Sequence, residues 1–97
     1  MNGFFKRDGY DAIYKDKNSV EDYTRDWSNY LDGDTISTST WSVESGGVTI
    51  DSDTNDTTTA TVWLSGAAGT YSVVRNRVTT AAGRTKDWSF RVYERET

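Results

Sequence analysis

Two pairs of carboxylates stand two residues apart in this chain, Asp32 with Asp34 and Asp51 with Asp53. A carboxylate pair flanking a cleft is what glycoside hydrolysis needs, one group acting as acid and the other as base or nucleophile. Both pairs adjoin Gly or Ser, however, where aspartate commonly accepts hydrogen bonds from the amides of a turn. The run Asp51-x-Asp53-x-Asn55 also matches the first half of a calcium loop, whose alternate oxygens wrap a hard cation. The match stops there. The sixth position is Asp56 where such a loop needs Gly, and the twelfth is Val62 where it needs Glu. A solvated acidic turn at 51–56 is the simpler reading, with a bound cation left open.

Other chemistries fail on composition. The chain has no Cys and no His, which removes disulfides, the usual zinc, haem and iron–sulfur ligands, and every nucleophile activated by histidine. No lysine falls in a Ser-x-x-Lys arrangement. Gly66-Ala67-Ala68-Gly69 lacks the following Lys-Ser/Thr of a phosphate cradle, and Asn55-Asp56-Thr57 is a glycosylation sequon with no apolar leader at Met1–Tyr10 to bring it to secretion. No apolar run approaches the roughly 20 residues of a membrane span. The expectation is therefore no enzyme, no catalytic residue, no metal and no cofactor.

Charge narrows the partners. The formal net charge is −4, which argues against a general nucleic-acid binder, although Arg75, Arg77, Arg91 and Arg95 with Tyr93 would make a basic stripe on the last strands. Residues 1–69 carry five basic and twelve acidic side chains, and residues 70–97 carry six basic and three acidic. Either the basic last strands neutralise acidic neighbours within one sheet, or two faces of opposite sign dock neighbouring copies or partners.

What would position these groups is a set of short strands. The chain has 97 residues and no proline, enough for one domain. Gly, Asp, Asn and Ser clusters interrupt it at short spacing, and the runs between them are rich in Thr, Val, Trp and Tyr. In 59–65, Ala60, Val62 and Leu64 alternate with Thr61, Trp63 and Ser65. In 87–95, Trp88, Phe90 and Val92 alternate with Ser89, Arg91, Tyr93 and Arg95. Strands are expected near 20–27, 37–44, 47–51, 58–65, 70–80 and 84–95. In the fifth, Tyr71 is out of phase with Val74 and Val78, which means a bulge near Val73–Val74 or an outward Tyr71.

About six or seven such strands predict an all-β, immunoglobulin-like antiparallel β-sandwich over residues 20–97. Its core would hold Trp27, Leu31, Trp41, Val43, Val48, Ile50, Val62, Leu64, Val74, Val78, Trp88, Phe90 and Val92, with Trp41 as the central ring. Residues 1–19 alternate poorly and mix charge with aromatics, so they read as an extended N-terminal arm, either ordered on assembly or frayed. Phe4, Phe5 and Tyr10 on that arm are candidate partner contacts, as are Arg91 and Tyr93 on the last strand. Trp63 is a further candidate: it points outward if Val62 and Leu64 are core, unless it packs under a loop or the arm.

Several blocks also resemble a known family. They are Asp22-Tyr23-Thr24-x-Asp26-Trp27-Ser28-x-x-Leu31, Gly33-Asp34-Thr35-Ile36, Ser39-Thr40-Trp41-x-Val43, Thr59 to Gly66 and Asn76 to Thr85, in that order. Together they resemble the small tailed-bacteriophage virion proteins that act as fiber–tail adaptors or immunoglobulin-like tail proteins. The resemblance implies a non-catalytic structural protein in the neck or tail of a virion, made in the bacterial host cytoplasm. Its implied partners are connector or tail and fiber components, with several copies in a symmetric ring and no nucleic acid, membrane or small-molecule substrate. The rival readings are a capsid decoration protein and a carbohydrate-binding module in which Trp63 and Tyr93 stack on sugar rings.

Overall fold

The computed structural model describes residues 4–7 and 9–95. Along the described chain run β1 (Phe5–Arg7), β2 (Tyr10–Lys15), β3 (Glu21–Asp26), α1 (Ser28–Leu31), β4 (Ile36–Ser45), β5 (Thr49–Asn55), β6 (Thr59–Ser65), β7 (Tyr71–Thr80) and β8 (Thr85–Glu94). They form a five-stranded sheet in the order β1-β2-β8-β7-β4 and a three-stranded sheet in the order β3-β6-β5. Alternation explains the pairing of the two layers. Tyr23, Val62 and Leu64 point in from the smaller sheet and Ile13, Val74, Phe90 and Val92 from the larger, and all bury together. A second cluster of Trp27, Leu31, Ile36, Ala60 and Val78 fills the end beside α1. The result is an all-β sandwich.

The six strands expected between 20 and 95 are all present, with β5 reaching on to Asn55. That extension changes the acidic segment: Asp51 and Asp53 lie on an edge strand and not in a turn. Side chains two apart on a strand stand roughly 7 Å from each other, too extended to wrap one ion as a loop does. Exposed aspartates on an edge also discourage a foreign strand from pairing there.

Three expectations are corrected. First, of the segment 1–19 read as an arm, the described strands Phe5–Arg7 and Tyr10–Lys15 are part of the larger sheet. β2 pairs in parallel with β8, Ile13 opposite Val92, so the sheet is not wholly antiparallel, and β1 turns back to pair with β2. Second, of the two readings of the phase break the bulge at Val73–Val74 fails and the outward Tyr71 holds, since the β7 ladder to β8 is unbroken from Tyr71 to Thr79 and Tyr71 is exposed. Tyr71 faces outward, and the irregularity lies across the ladder in β4, where Glu44 is extra between Val43 and Ser45. Third, Trp41 is only partly buried against both clusters, and Trp27, 1% exposed, occupies the deep position.

Trp27 reaches that depth through a single helical turn. The Asp26 carboxylate accepts the Ser28 amide at 2.9 Å, the helix stops at Asp32 with φ at 47°, and Gly33 follows at φ 90°. Trp27 and Leu31 lie one turn apart and bury on the same side. Two buried polar groups then hold the layers in register. Asn76 accepts the Trp27 indole N–H and donates to Ser39 Oγ and the Thr40 carbonyl. Ser72 accepts from the amides of Gly47 and Val48 and donates to the Ala68 carbonyl, tying the β4–β5 turn to the β6–β7 loop. Gly46 is required in that turn, since its φ is 93° and a side chain there would overlap Ser72.

Candidate functional site

The outer faces of the two sheets differ in chemistry. On the larger sheet, Phe5, Arg7, Tyr10, Tyr14, Tyr71, Arg91 and Tyr93 share one side, because β1 and β2 put Phe5 against Ala12 and Arg7 against Tyr10, and β8 puts Arg91 opposite Ala12 and Val73. Guanidinium groups lie over the rings. Arg91 covers Tyr10 at 4.0 Å and Tyr71 at 4.7 Å, Arg7 covers Tyr93 at 4.2 Å, and Arg95 covers Tyr14 at 5.1 Å. Arg91 also donates to the Tyr93 hydroxyl at 3.2 Å, a bond that favours its charged form. Each such contact contributes about 0.5–1 kcal/mol at an exposed site and holds a long side chain flat against the sheet.

On the smaller sheet, Trp63 stands outward, 40% exposed, with Asp22 and Ser52 as its cross-strand neighbours. Thr24 and Thr61 join hydroxyls beside it at 2.8 Å, and Asp51 accepts the Ser65 hydroxyl at 2.9 Å. This face is acidic and hydroxyl-rich. The arginine of β3, Arg25, turns away from it to lie between the rings of Trp27 and Trp88, 4.9 Å from each.

The sequence-derived candidates thus separate into three places. Phe5, Tyr10 and Arg91 belong to the tyrosine–arginine face, and Trp63 lies on the opposite face. Phe4 is turned inward, packed edge-on against Trp88 and Phe90 at 5.3 and 5.2 Å. Tyr93 sits on the outer side as alternation required but is only 8% exposed, which corrects its reading as an open stacking ring. Tyr14, Tyr71, Arg7 and Arg91 cover it. Tyr14, Tyr71 and Arg7 are the members of the cluster that sequence reasoning did not pick out. For Tyr71 the signal was present in its phase break, and for Tyr14 in its spacing of four from Tyr10, two strand periods on.

Ion pairs account for part of the charge asymmetry. Arg75 pairs with Glu44 and Arg84 with Asp34, each joining the basic third of the chain to the acidic part, while Arg77 and Asp87 pair across β7 and β8. Of the two carboxylate pairs weighed for acid–base work, Asp34 and Asp51 have structural partners, Asp51 taking the Ser65 hydroxyl. Asp34 accepts from the Thr35 and Ala82 amides and Arg84, and its pKa is held down at about 2, chiefly by the Thr80 hydroxyl. Asp56 accepts from the amides of Thr58 and Thr59, which lowers it too. A cleft of about 220 Å³ opens at the sandwich edge between Phe4, Asp11, Thr24, Arg25, Asp26 and Trp88. Its Asp11 carboxylate is pushed up by burial but held below the ordinary value by hydrogen bonds from Lys6 and Trp88. A carboxylate kept ionised and doubly bonded in this way is a poor general acid.

A model of the family described as podophage GP4 fiber-tail adaptor protein gp77 matches residues 15–93. The chain belongs to this family. The fiber-tail adaptor match takes in β3 to β7 and nearly all of β8, so the whole smaller sheet and three of the five strands of the larger one lie within it. β1 and most of β2, which carry Phe5, Arg7, Tyr10 and Tyr14, precede the matched span. No curated protein matches the chain closely enough to add a relative. As a member of the fiber-tail adaptor family, it is a structural protein of a bacteriophage tail.

Proposed function

We propose that this chain is a non-catalytic adaptor that joins the tail or connector of a tailed phage to its fibers. It is made in the host cytoplasm and built into the particle in several copies around a ring. The observation that carries the reading is the family match across both sheets of the sandwich. What supports it physically is a small module with one outward face rich in Tyr and Arg and another that presents Trp63, the side chains that dominate binding energy at protein interfaces. A ring suits such a module, because many modest contacts repeated by symmetry sum to a firm attachment. The N-terminal strands, which precede the family match, add Phe5, Tyr10 and Tyr14 to one face.

Cryo-electron microscopy of particles carrying a tagged copy tests the proposal. Density for the tag at the junction of tail and fibers, and particles that lose their fibers when the gene is deleted, are the expected results. Density on the head lattice would establish a decoration protein instead. A carbohydrate-binding module is disfavoured by the burial of Tyr93, which leaves Trp63 without a second open ring beside it.

A further inference from the structure

We infer that copies of this chain dock head to tail, the acidic Trp63 face of one lying on the tyrosine–arginine face of the next. The inference rests on the adaptor reading only for its multi-copy setting; the contact itself is argued from the two faces. They are the outer surfaces of opposite layers of one sandwich, so they point in opposite directions. A contact between them joins unlike patches, and repeating it closes a ring or extends a filament.

The chemistry is complementary. Asp22 stands opposite Trp63 and Asp51 beside it on Ser65, and among the described residues the strands of that sheet turn no cation outward. On the other side, Arg7, Arg91 and Arg95 lie flat on tyrosines, with Tyr10 46% and Tyr14 44% exposed. Arg7 and Arg95, exposed and held by one face on a ring, offer the planar N–H fork that receives a carboxylate, while Arg91, between Tyr10 and Tyr71 and bonded to the Tyr93 hydroxyl, adds its charge at the centre of the patch. The Trp63 indole brings a broad apolar plate to the exposed tyrosine rings between those arginines. Three strands of about seven residues span roughly 15 by 23 Å. That is small against the roughly 800 Å² per partner of a standard interface, so two free copies associate weakly and salt weakens them further.

Sedimentation of the full-length chain across a concentration series, in about 0.05 M and about 1 M salt, tests this. The expected result is association at low salt that disappears at high salt. Trp63→Ala with Asp22→Lys removes one face, and Arg91→Glu removes the other. Each variant alone should stay monomeric, while an equal mixture should form capped dimers, since each supplies the face the other lacks. If Arg91→Glu does not fold, Arg95→Glu with Tyr10→Ser, both exposed side chains, replaces it. Three outcomes overturn the proposal: a wild type that is monomeric at millimolar concentration in low salt, variants that associate as the wild type does, and a mixture that does not pair. The location of the tagged chain in particles judges the adaptor reading separately.

Discussion

Trp27 donates its indole N–H to the side-chain oxygen of Asn76 at 2.9 Å, with both residues sealed from water. The bond joins the single-turn helix to the middle of β7, and the same amide reaches on to β4 through Ser39 and Thr40. A buried polar group left without its partner costs about 1–3 kcal/mol. Asn76→Leu, close in volume, should therefore lower the urea midpoint by about that free energy with an unchanged slope. Trp27→Ala should cost about 3–5 kcal/mol. Trp41→Ala should cost less, because that ring is only partly buried and its buried indole N–H finds no partner among the described residues. Equal losses at the two tryptophans would contradict the packing described.

Ser72 is the second internal clasp. Ser72→Ala strands the amides of Gly47 and Val48, and about 1–3 kcal/mol of destabilisation is expected in thermal or denaturant unfolding. Gly46→Ala should cost more than that, since it adds a left-handed backbone penalty to a collision with Ser72. A variant of Gly46 as stable as the wild type would mean that the turn has freedom to move away.

Acid should loosen the end of the sandwich where Asp34 meets Thr80, Ala82 and Arg84. Its folded pKa of about 2 lies below the ordinary 3.8, so the folded state binds fewer protons than the unfolded one as pH falls. The stabilisation is complete above the ordinary value and is lost as pH descends through the folded one. In Asp34→Asn, unfolding followed between pH 5 and pH 2 should fall less steeply than in the wild type, at a lower plateau near neutrality. Parallel slopes would show that other carboxylates govern acid unfolding.

Ile13 measures whether the N-terminal strands belong to the folded body. It is 3% exposed and packs in the shared core, so Ile13→Ala should cost about 2–5 kcal/mol. An unchanged melting temperature would mean that β2 adds nothing to the stability of the rest.

Why sequence reasoning missed β2 while placing six other strands is visible in its side chains. Its inward positions are Asp11, Ile13 and Lys15, two of them charged, and its outward positions include Ala12, so the usual polarity of the two faces is scrambled. Each inward charge has a local reason. Asp11 takes the Trp88 indole and Lys6, and Lys15, 3% exposed, donates to the carbonyls of Asp16 and Gly66. Those partners lie up to 77 residues away, beyond any window of periodicity. The helix at Ser28–Leu31 was equally hidden, being one turn long. Of the candidate contacts, Trp63 and Arg91 followed from simple alternation. The shielding of Tyr93 did not, because its cover comes from β1, β2 and β7 together.

The parallel pairing of β2 with β8 also orders events during folding. The groove that receives Asp11 to Lys15 exists only once β8 has formed, and Asp11 meets Trp88 across 77 residues of chain. Closing so large a loop is slow, and it comes after the hairpin of β7 and β8, whose turn is local. Until then the outer margin of β8 stands bare, with main-chain donors and acceptors able to recruit a strand from elsewhere. β2 and β1 are thus expected to zip in last, and once in place they seal the margin of β8.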